Sequence, residues 1–244
     1  MPAEMPPGWR RSRIRILIAR KEKRCMDVWA IVPVKSLQES KGRLAHLLSP
    51  GARAQLVRVL LQHVLVTVQE TQRITKLLVI SGDEQVRQIA GAYGALTMDE
   101  QPPYGLNRAV SHAYRFAAES GADAVLILPA DLPFATTADL DLVLDAGLAS
   151  SGVVELPVMA ICSDRRGDGS NALFLRPCVD FEFSYGPNSL QHHIHEAVER
   201  GYLVRLVNAQ GLQFDLDIEE DWQAFQEQES SRPINNSTVR QFSS

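Results

Sequence analysis

Residues 125–133, Val-Leu-Ile-Leu-Pro-Ala-Asp-Leu-Pro, run from unbroken aliphatics into an aspartate and then a proline turn. A half-buried strand alternates apolar and polar residues. This run does not alternate, so both of its faces must be covered, as in a parallel sheet flanked by helices. In such sheets ligands sit beyond the carboxyl ends of the strands, where Asp131 falls. A local role competes with that one, because a carboxylate here can also close the proline turn or cap the helix expected near Thr136. The neighbouring segments choose between the two.

The strand-then-helix rhythm continues on both sides. Upstream it predicts a strand at Trp29–Val34 and a helix over Pro50–Glu70 with a Leu/Val face, followed by a strand at Leu77–Ser81 and a helix from Asp83 to Ala90. A short strand near Ala95–Met98, the proline-rich loop Gln101–Gly105 and a helix over Leu106–Glu119 come next. Downstream it predicts a helix near Ala138–Ala149, strands around Pro157–Ile161 and Ala172–Leu175, a helix at Ser189–Arg200, a strand at Leu203–Val207 and a last helix after Asp217. This order specifies an α/β fold, a three-layer sandwich about a mainly parallel, mixed sheet. The 244 residues, 45% of them apolar, are enough for one sizeable core.

No apolar stretch approaches the ~20 residues of a membrane span, so no membrane partner is expected. Cys25, Cys162 and Cys178 show no paired spacing, which argues against a zinc knuckle or disulfide framework and fits a reducing, cytoplasmic setting. Residues 1–26 read as a basic extension, disordered or not native with Met26 the true beginning, the alternative being a nucleic-acid- or membrane-binding arm; its apolar centre, Ile16–Ala19, is too short for a secretory signal. That extension holds eight of the 25 Lys and Arg residues but only two of the 29 Asp and Glu residues, so residues 27–244 carry a formal charge of −10. A body of that charge repels polyanions, and nucleic acid is not an expected partner. Residues 27–226 read as the folded domain, and the polar stretch 227–244 as a disordered tail.

Four loops near expected strand ends carry unusual chemistry. The first, Lys35–Arg43, contains Lys35, Lys41 and Arg43, cations able to hold a triphosphate and stabilise a departing pyrophosphate; neither a Walker loop nor a dinucleotide fingerprint is present. The second, Ser163–Asn171, has two glycines that let backbone amides approach an anion, with charge from Arg165 and Arg166 and short polar groups from Ser170 and Asn171; a plain hairpin turn is the competing reading. In the third, Tyr185–Ser189 opens a helix whose free amides face any nearby anion, although Asn188 or Ser189 can equally be its cap. His192, His193 and His195 follow, but adjacent histidines on a helix splay apart, so metal binding there is not expected. The fourth, Phe214–Asp217, is expected as a strand that puts Asp215 and Asp217 on one side. With Asp131 they form a candidate site for a hard cation such as magnesium, the ion that would let an acidic domain accept a nucleoside triphosphate.

Six segments in this order resemble the 2-phospho-L-lactate/phosphoenolpyruvate guanylyltransferases: Val32-Pro33-Val34-Lys35 with Lys41 and Arg43, Gly105-Leu106-Asn107, Pro129–Pro133, Asp164–Asn171, Tyr185–Ser189 and Asp215-Leu216-Asp217. The resemblance covers about Met26–Gln226. It implies a GT-A-like nucleotidyltransferase fold and a step in coenzyme F(420) assembly that joins guanylate from GTP to a phosphorylated three-carbon acid. Carried over by motif, Asp131, Asp215 and Asp217 would be Mg2+ ligands, Ser170, Gly186 and Ser189 would hold the acid, and Lys35, Lys41 and Arg43 would face the triphosphate. Asn107, Arg165, Arg166 and Asn171 complete the expected substrate-binding set. Ser170 stands where the family more often has threonine, and Ile218-Glu219 replaces a usual Thr-Pro, which leaves the capping of the last helix open. Phosphoenolpyruvate, 2-phospho-L-lactate and 3-phosphoglycerate are not distinguished by these loops, and oligomeric state, a homodimer among the alternatives, is open. The competing readings are another GT-A-like transferase, of the molybdenum-cofactor or sugar-nucleotide type, and a non-catalytic nucleotide-binding protein.

Overall fold

The computed structural model describes residues 26–37, 40–149 and 156–231. Apart from Met26, the basic extension lies outside them, as do residues 232–244. Seven strands form one sheet: β1 Val28–Pro33, β2 Lys76–Ser81, β3 Leu96–Asp99, β4 Ala124–Ile127, β5 Val158–Ser163, β6 Ser170–Arg176 and β7 Leu203–Leu206. Their spatial order is β3-β2-β1-β4-β6-β5-β7, with β6 antiparallel to both β4 and β5 and every other pairing parallel. The strands β1 and β4 are buried along almost their whole length, as their lack of alternation requires.

Alternate residues of each strand feed two separate cores. Ala30 and Val32 point to the face covered by α1 Pro50–Glu70, α2 Glu84–Ala92 and α4 Thr137–Leu148, while Trp29 and Ile31 point to the face covered by α3 Leu106–Glu119 and α5 Ser189–Glu199. This is the expected three-layer sandwich. The helix α1 starts where Ser49 accepts a hydrogen bond from the Ala52 amide and Pro50 occupies the first turn, the arrangement that opens a helix without losing a needed N–H. For α4 the cap is Thr136, paired reciprocally with Asp139, so Asp131 is not used for capping.

Two elements went unforeseen: a single 3-10 turn at Gly42–Leu44 and a short helix, α6, at Gln210–Gln213. The last helix, α7 Glu219–Ser231, runs past Gln226, so the first five residues of the expected tail are helical. Phe214–Asp217 is not a strand but an irregular extended segment between α6 and α7. Its alternation survives nonetheless, because Phe214 and Leu216 drop into a third apolar cluster with Leu44, Leu48, Leu56, Leu60, Trp222 and Phe225. That cluster ties the segment after β1 to the segment before α7. It draws together residues more than a hundred positions apart.

Candidate active site

Every chemically unusual loop except the Arg165–Arg166 corner lies at one end of the sheet, and the reason is topological. The carboxyl ends of β1, β2 and β4 lead to Lys35, Gly82-Asp83 and Asp131. Because β6 runs the opposite way, its first residues, Ser170 and Asn171, lie at that same end beside β4. Strand order also reverses here, with β2 on one side of β1 and β4 on the other, which opens a crevice in a wound sheet. The crevice is a cleft of about 850 Å³ lined by Lys35, Lys41, Arg43, Asp131, Ser170, Asn171, Gly186, Ser189, Asp215 and Asp217.

At its centre the Lys41 ammonium donates to Asp131 Oδ2 at 2.6 Å and to Asp217 Oδ1 at 2.8 Å. The backbone knits the same groups, since the Leu216 amide donates to the Asp131 carbonyl at 3.1 Å. Lys41 adopts a left-handed conformation, φ 57°, immediately before the 3-10 turn that buries Leu44, and only 6% of its side chain is exposed. Burial alone would favour the neutral amine, but Asp131 and Asp217 outweigh it and raise the Lys41 pKa, so the ammonium is kept. For Asp217, burial pushes up most strongly of the single causes, but Lys41, Arg43 and Lys35 together pull down further, which leaves the carboxyl below its ordinary range. Asp215 has no such cation, and burial together with Asp131 and Asp217 raises its pKa.

Two of these features fit a hard dication. Asp131 Oδ1 is buried with no hydrogen-bond partner, and Asp215 is a half-buried carboxylate crowded by two others. Among the described residues no group of three or more His, Cys, Asp or Glu side chains is placed to hold a metal ion by itself, so any ion here must draw the rest of its ligands from elsewhere. An open site of one or two carboxylates completed by phosphate oxygens and water is what magnesium favours. Arg43, 3.9 Å from Asp217 Oδ2 and three-quarters exposed, and the exposed Lys35 add positive charge to the lining of the cleft.

The rest of the expected set divides. Ser170 and Ser189 are both buried against the cleft and 3.3 Å apart, and Gly186 holds φ 131° beside them, a conformation that disfavours any side chain. Asn188 caps α5 through its backbone alone, which leaves the Ser189 hydroxyl to face Ser170. Asn171 donates to the Leu212 carbonyl at 3.0 Å and to Asp215 Oδ1 at 3.3 Å, so it positions Asp215. Asn107, Arg165 and Arg166 must be reassigned. Both functional atoms of Asn107 are spent on the Tyr185 backbone, donating to its carbonyl and accepting from its amide, so the residue is a clamp on the Tyr185–Ser189 loop. Arg165 and Arg166 turn away from the cleft to the fully buried carboxylate of Asp221, at 2.6 and 3.1 Å.

Asp221 also settles how the last helix begins. Its Oδ2 accepts from the amides of Asp217 and Ile218, each at 3.0 Å. The glycine loop between β5 and β6 is likewise not an open cradle, because the Asp168 and Gly169 amides already donate to Asp164 Oδ1. Two residues were missed at the sequence level. Asp83, on the loop after β2, accepts from the Leu37 amide at 3.0 Å and pins the cationic loop; its place just past a strand end was the available signal. His193, fully buried behind Ser170, gave none, since its sequence neighbours His192 and His195 turn elsewhere.

Comparison with known proteins follows the same outline. A family model described as "Guanylyl transferase CofC like" matches residues 28–226. The chain is 39% identical over 196 residues to a phosphoenolpyruvate guanylyltransferase of Rubrobacter xylanophilus, spanning 80% of this chain and 92% of that one. It is 33% identical to a 2-phospho-L-lactate guanylyltransferase of Methanothermobacter thermautotrophicus, spanning 80% and 82%. Among solved structures, 4-diphosphocytidyl-2C-methyl-D-erythritol synthase of Anaerococcus prevotii superposes with a TM-score of 0.58 at 12% identity, covering 85% of this chain and 97% of that one, a likeness of fold.

Proposed function

Because the chain belongs to the CofC-like guanylyl transferase family, we propose that it joins the guanylyl group of GTP to the phosphate of a three-carbon phosphorylated acid and releases pyrophosphate, a step in coenzyme F(420) assembly. Phosphoenolpyruvate is the first candidate for the acid, since the relative at 39% identity carries that name; 2-phospho-L-lactate is the second. The observation that carries the reading is the meeting of Asp131 and Asp217 on one buried ammonium, with Asp215 alongside and Ser170 and Ser189 across the same cleft.

The acid's phosphate is ionised at neutral pH, so it needs no base. One of its oxygens attacks the α-phosphorus of GTP; that P–O bond forms as the bond to the β-phosphate oxygen breaks, and pyrophosphate leaves with the electron pair. Lys35 and Arg43 meet the charge that gathers on the departing pyrophosphate, while Ser170 and Ser189 fix the acid for in-line approach. Lys41 bridges Asp131 and Asp217, holding them close together, and keeps Asp217 ionised. Three cations against three carboxylates leave the empty site near neutral, so a nucleotide of about four negative charges needs a further counter-charge. Asp131, Asp217 and Asp215 would hold magnesium, which when bound would supply the positive charge that offsets the nucleotide's phosphates.

Mass spectrometry of the products formed from GTP and ATP with a mixture of phosphoenolpyruvate, 2-phospho-L-lactate and 3-phosphoglycerate tests the proposal. A guanylylated acid and pyrophosphate are expected. Nucleotide bound but not consumed would return the chain to the non-catalytic reading. Asp131→Asn is expected to lower turnover by on the order of 10²–10³ with an unchanged melting profile, the cost of losing one charge at a transition-state cation site. Near-normal pyrophosphate release by that variant refutes the role of Asp131.

A further inference from the structure

Behind Ser170 lies a buried hydrogen-bond chain that the reaction scheme above does not use. His193 of α5 is fully buried, with its ring among Tyr185, Phe181 and Phe183 at centroid distances of 4.7, 6.2 and 6.4 Å. Its Nε2 is 3.0 Å from the Ser184 backbone nitrogen and its Nδ1 is 2.9 Å from Ser170 Oγ. A backbone N–H can only donate, so Nε2 must offer its lone pair, and the neutral ring then carries its proton on Nδ1. Burial, with His192 nearby, holds the ring pKa down to about 4 against the weaker pull of Glu196, so the neutral form persists at physiological pH. The Nδ1 hydrogen is therefore donated to Ser170 Oγ.

The proton count downstream is fixed by that one bond. The Ser189 hydroxyl donates to Ser170 Oγ at 3.3 Å, which occupies the second lone pair of Ser170 and leaves the Ser170 hydroxyl hydrogen unspent within the pair. If the serine–serine bond runs the other way, the surplus hydrogen belongs to Ser189. In both cases the pair has one hydrogen to give and both residues line the cleft. Had the ring carried its proton on Nε2, Ser170 would have to donate to Nδ1, and the serines would turn lone pairs towards an anion.

We propose that His193 is a positioning residue that polarises the Ser170–Ser189 pair into a hydrogen-bond donor for an anionic oxygen of the acid substrate, its direction set by the Ser184 amide. This rests on the reading that this end of the cleft takes the acid.

Three variants of the full chain separate the possibilities. His193→Asn puts an amide N–H near the Nδ1 position and keeps the donor to Ser170; His193→Gln puts an amide group at the Nε2 position, can still accept from Ser184, and leaves Ser170 without a donor. With phosphoenolpyruvate and GTP as substrates in the presence of magnesium, His193→Gln is expected to raise KM for the acid about tenfold, the loss of one hydrogen bond to a charged group, with KM for GTP unchanged. His193→Asn is expected to stay within about threefold of the parent. KM does not depend on the folded fraction, so partial misfolding does not blur the comparison. Equal effects of the two variants, or an equal rise in KM for GTP, overturn the proposal. Ser170→Ala is the control for its premise: an unchanged KM for the acid removes the acid from this end of the cleft, a failure distinct from that of His193. Nitrogen NMR of the histidine-labelled parent chain reads the tautomer directly; a protonated Nδ1 on His193 at neutral pH is expected, and a protonated Nε2 overturns the proposal with no substitution made.

Discussion

Lys41, in the cleft, and His193, behind it, are both buried polar side chains, but they are held in opposite charge states for opposite reasons. Lys41 is kept cationic by two carboxylates within 2.8 Å, whereas His193 meets one amide and one hydroxyl and is kept neutral. Replacing Lys41 with Met removes the cation that bridges Asp131 and Asp217 and leaves only the longer Arg43 contact, 3.9 Å from Asp217. Turnover is expected to fall on the order of 10²–10³-fold, measured as initial pyrophosphate release at saturating GTP and magnesium. For His193 the consequence is a pH-dependent stability. Its folded pKa of about 4 lies below the ordinary 6.5, so between those values the unfolded chain binds the extra proton. Stability from this group is complete above pH 6.5 and is lost as pH falls towards 4, by about 3 kcal/mol in all. Denaturation midpoints measured across that window are expected to fall less steeply in His193→Asn than in the parent.

Among the elements, the well-placed ones are those whose own residues supply both periodicity and punctuation. The helix over Pro50–Glu70 has its cap, its proline and its Leu/Val stripe in one segment, and the structure returns those same limits. Phe214–Asp217 is the counterexample: its alternation is real, but it joins no strand of the sheet, and the same pattern makes an apolar plug under α7. The Arg165–Arg166 pair was legible as charge but not as destination. A buried carboxylate on α7 outcompetes the cleft for it, because an unpaired Asp221 would be costly to bury. Close approach between elements is equally invisible in a single segment. A Cβ on Gly147 of α4 would come within 2.2 Å of the Phe174 ring of β6, so Gly147→Ala is expected to cost about 1–3 kcal/mol, read from the urea midpoint, without changing KM for either substrate.

Across the whole molecule, one reversed strand decides where the chemistry gathers. With β6 antiparallel, residues that follow the β5–β6 turn arrive at the carboxyl end of β4, and Ser170, Asn171 and Asp131 share one rim. The charge of residues 27–244, −10, then sets a condition on the nucleotide. Calorimetry is expected to show GTP binding at least about tenfold weaker when magnesium is removed with a chelator, since the cleft's three cations are already balanced by Asp131, Asp215 and Asp217 and leave the phosphates without a counter-charge. Equal affinity with and without the ion would leave Lys35, Lys41 and Arg43 as sufficient counter-charge.

The sequence by itself determined the layers, the apolar strands and the strand-end position of Asp131, because these follow from hydrophobic pattern and turn chemistry within a few consecutive residues. It also carried the family resemblance in six short segments. Only the tertiary structure decided which polar side chains face the cleft. Asn107, Arg165 and Arg166 were withdrawn to hold loops and a helix, while His193 and Asp83 were brought in behind Ser170 and Leu37. The reason is that a buried polar group takes whichever partner lies nearest in space, and that partner is set by the packing of elements far apart in the chain.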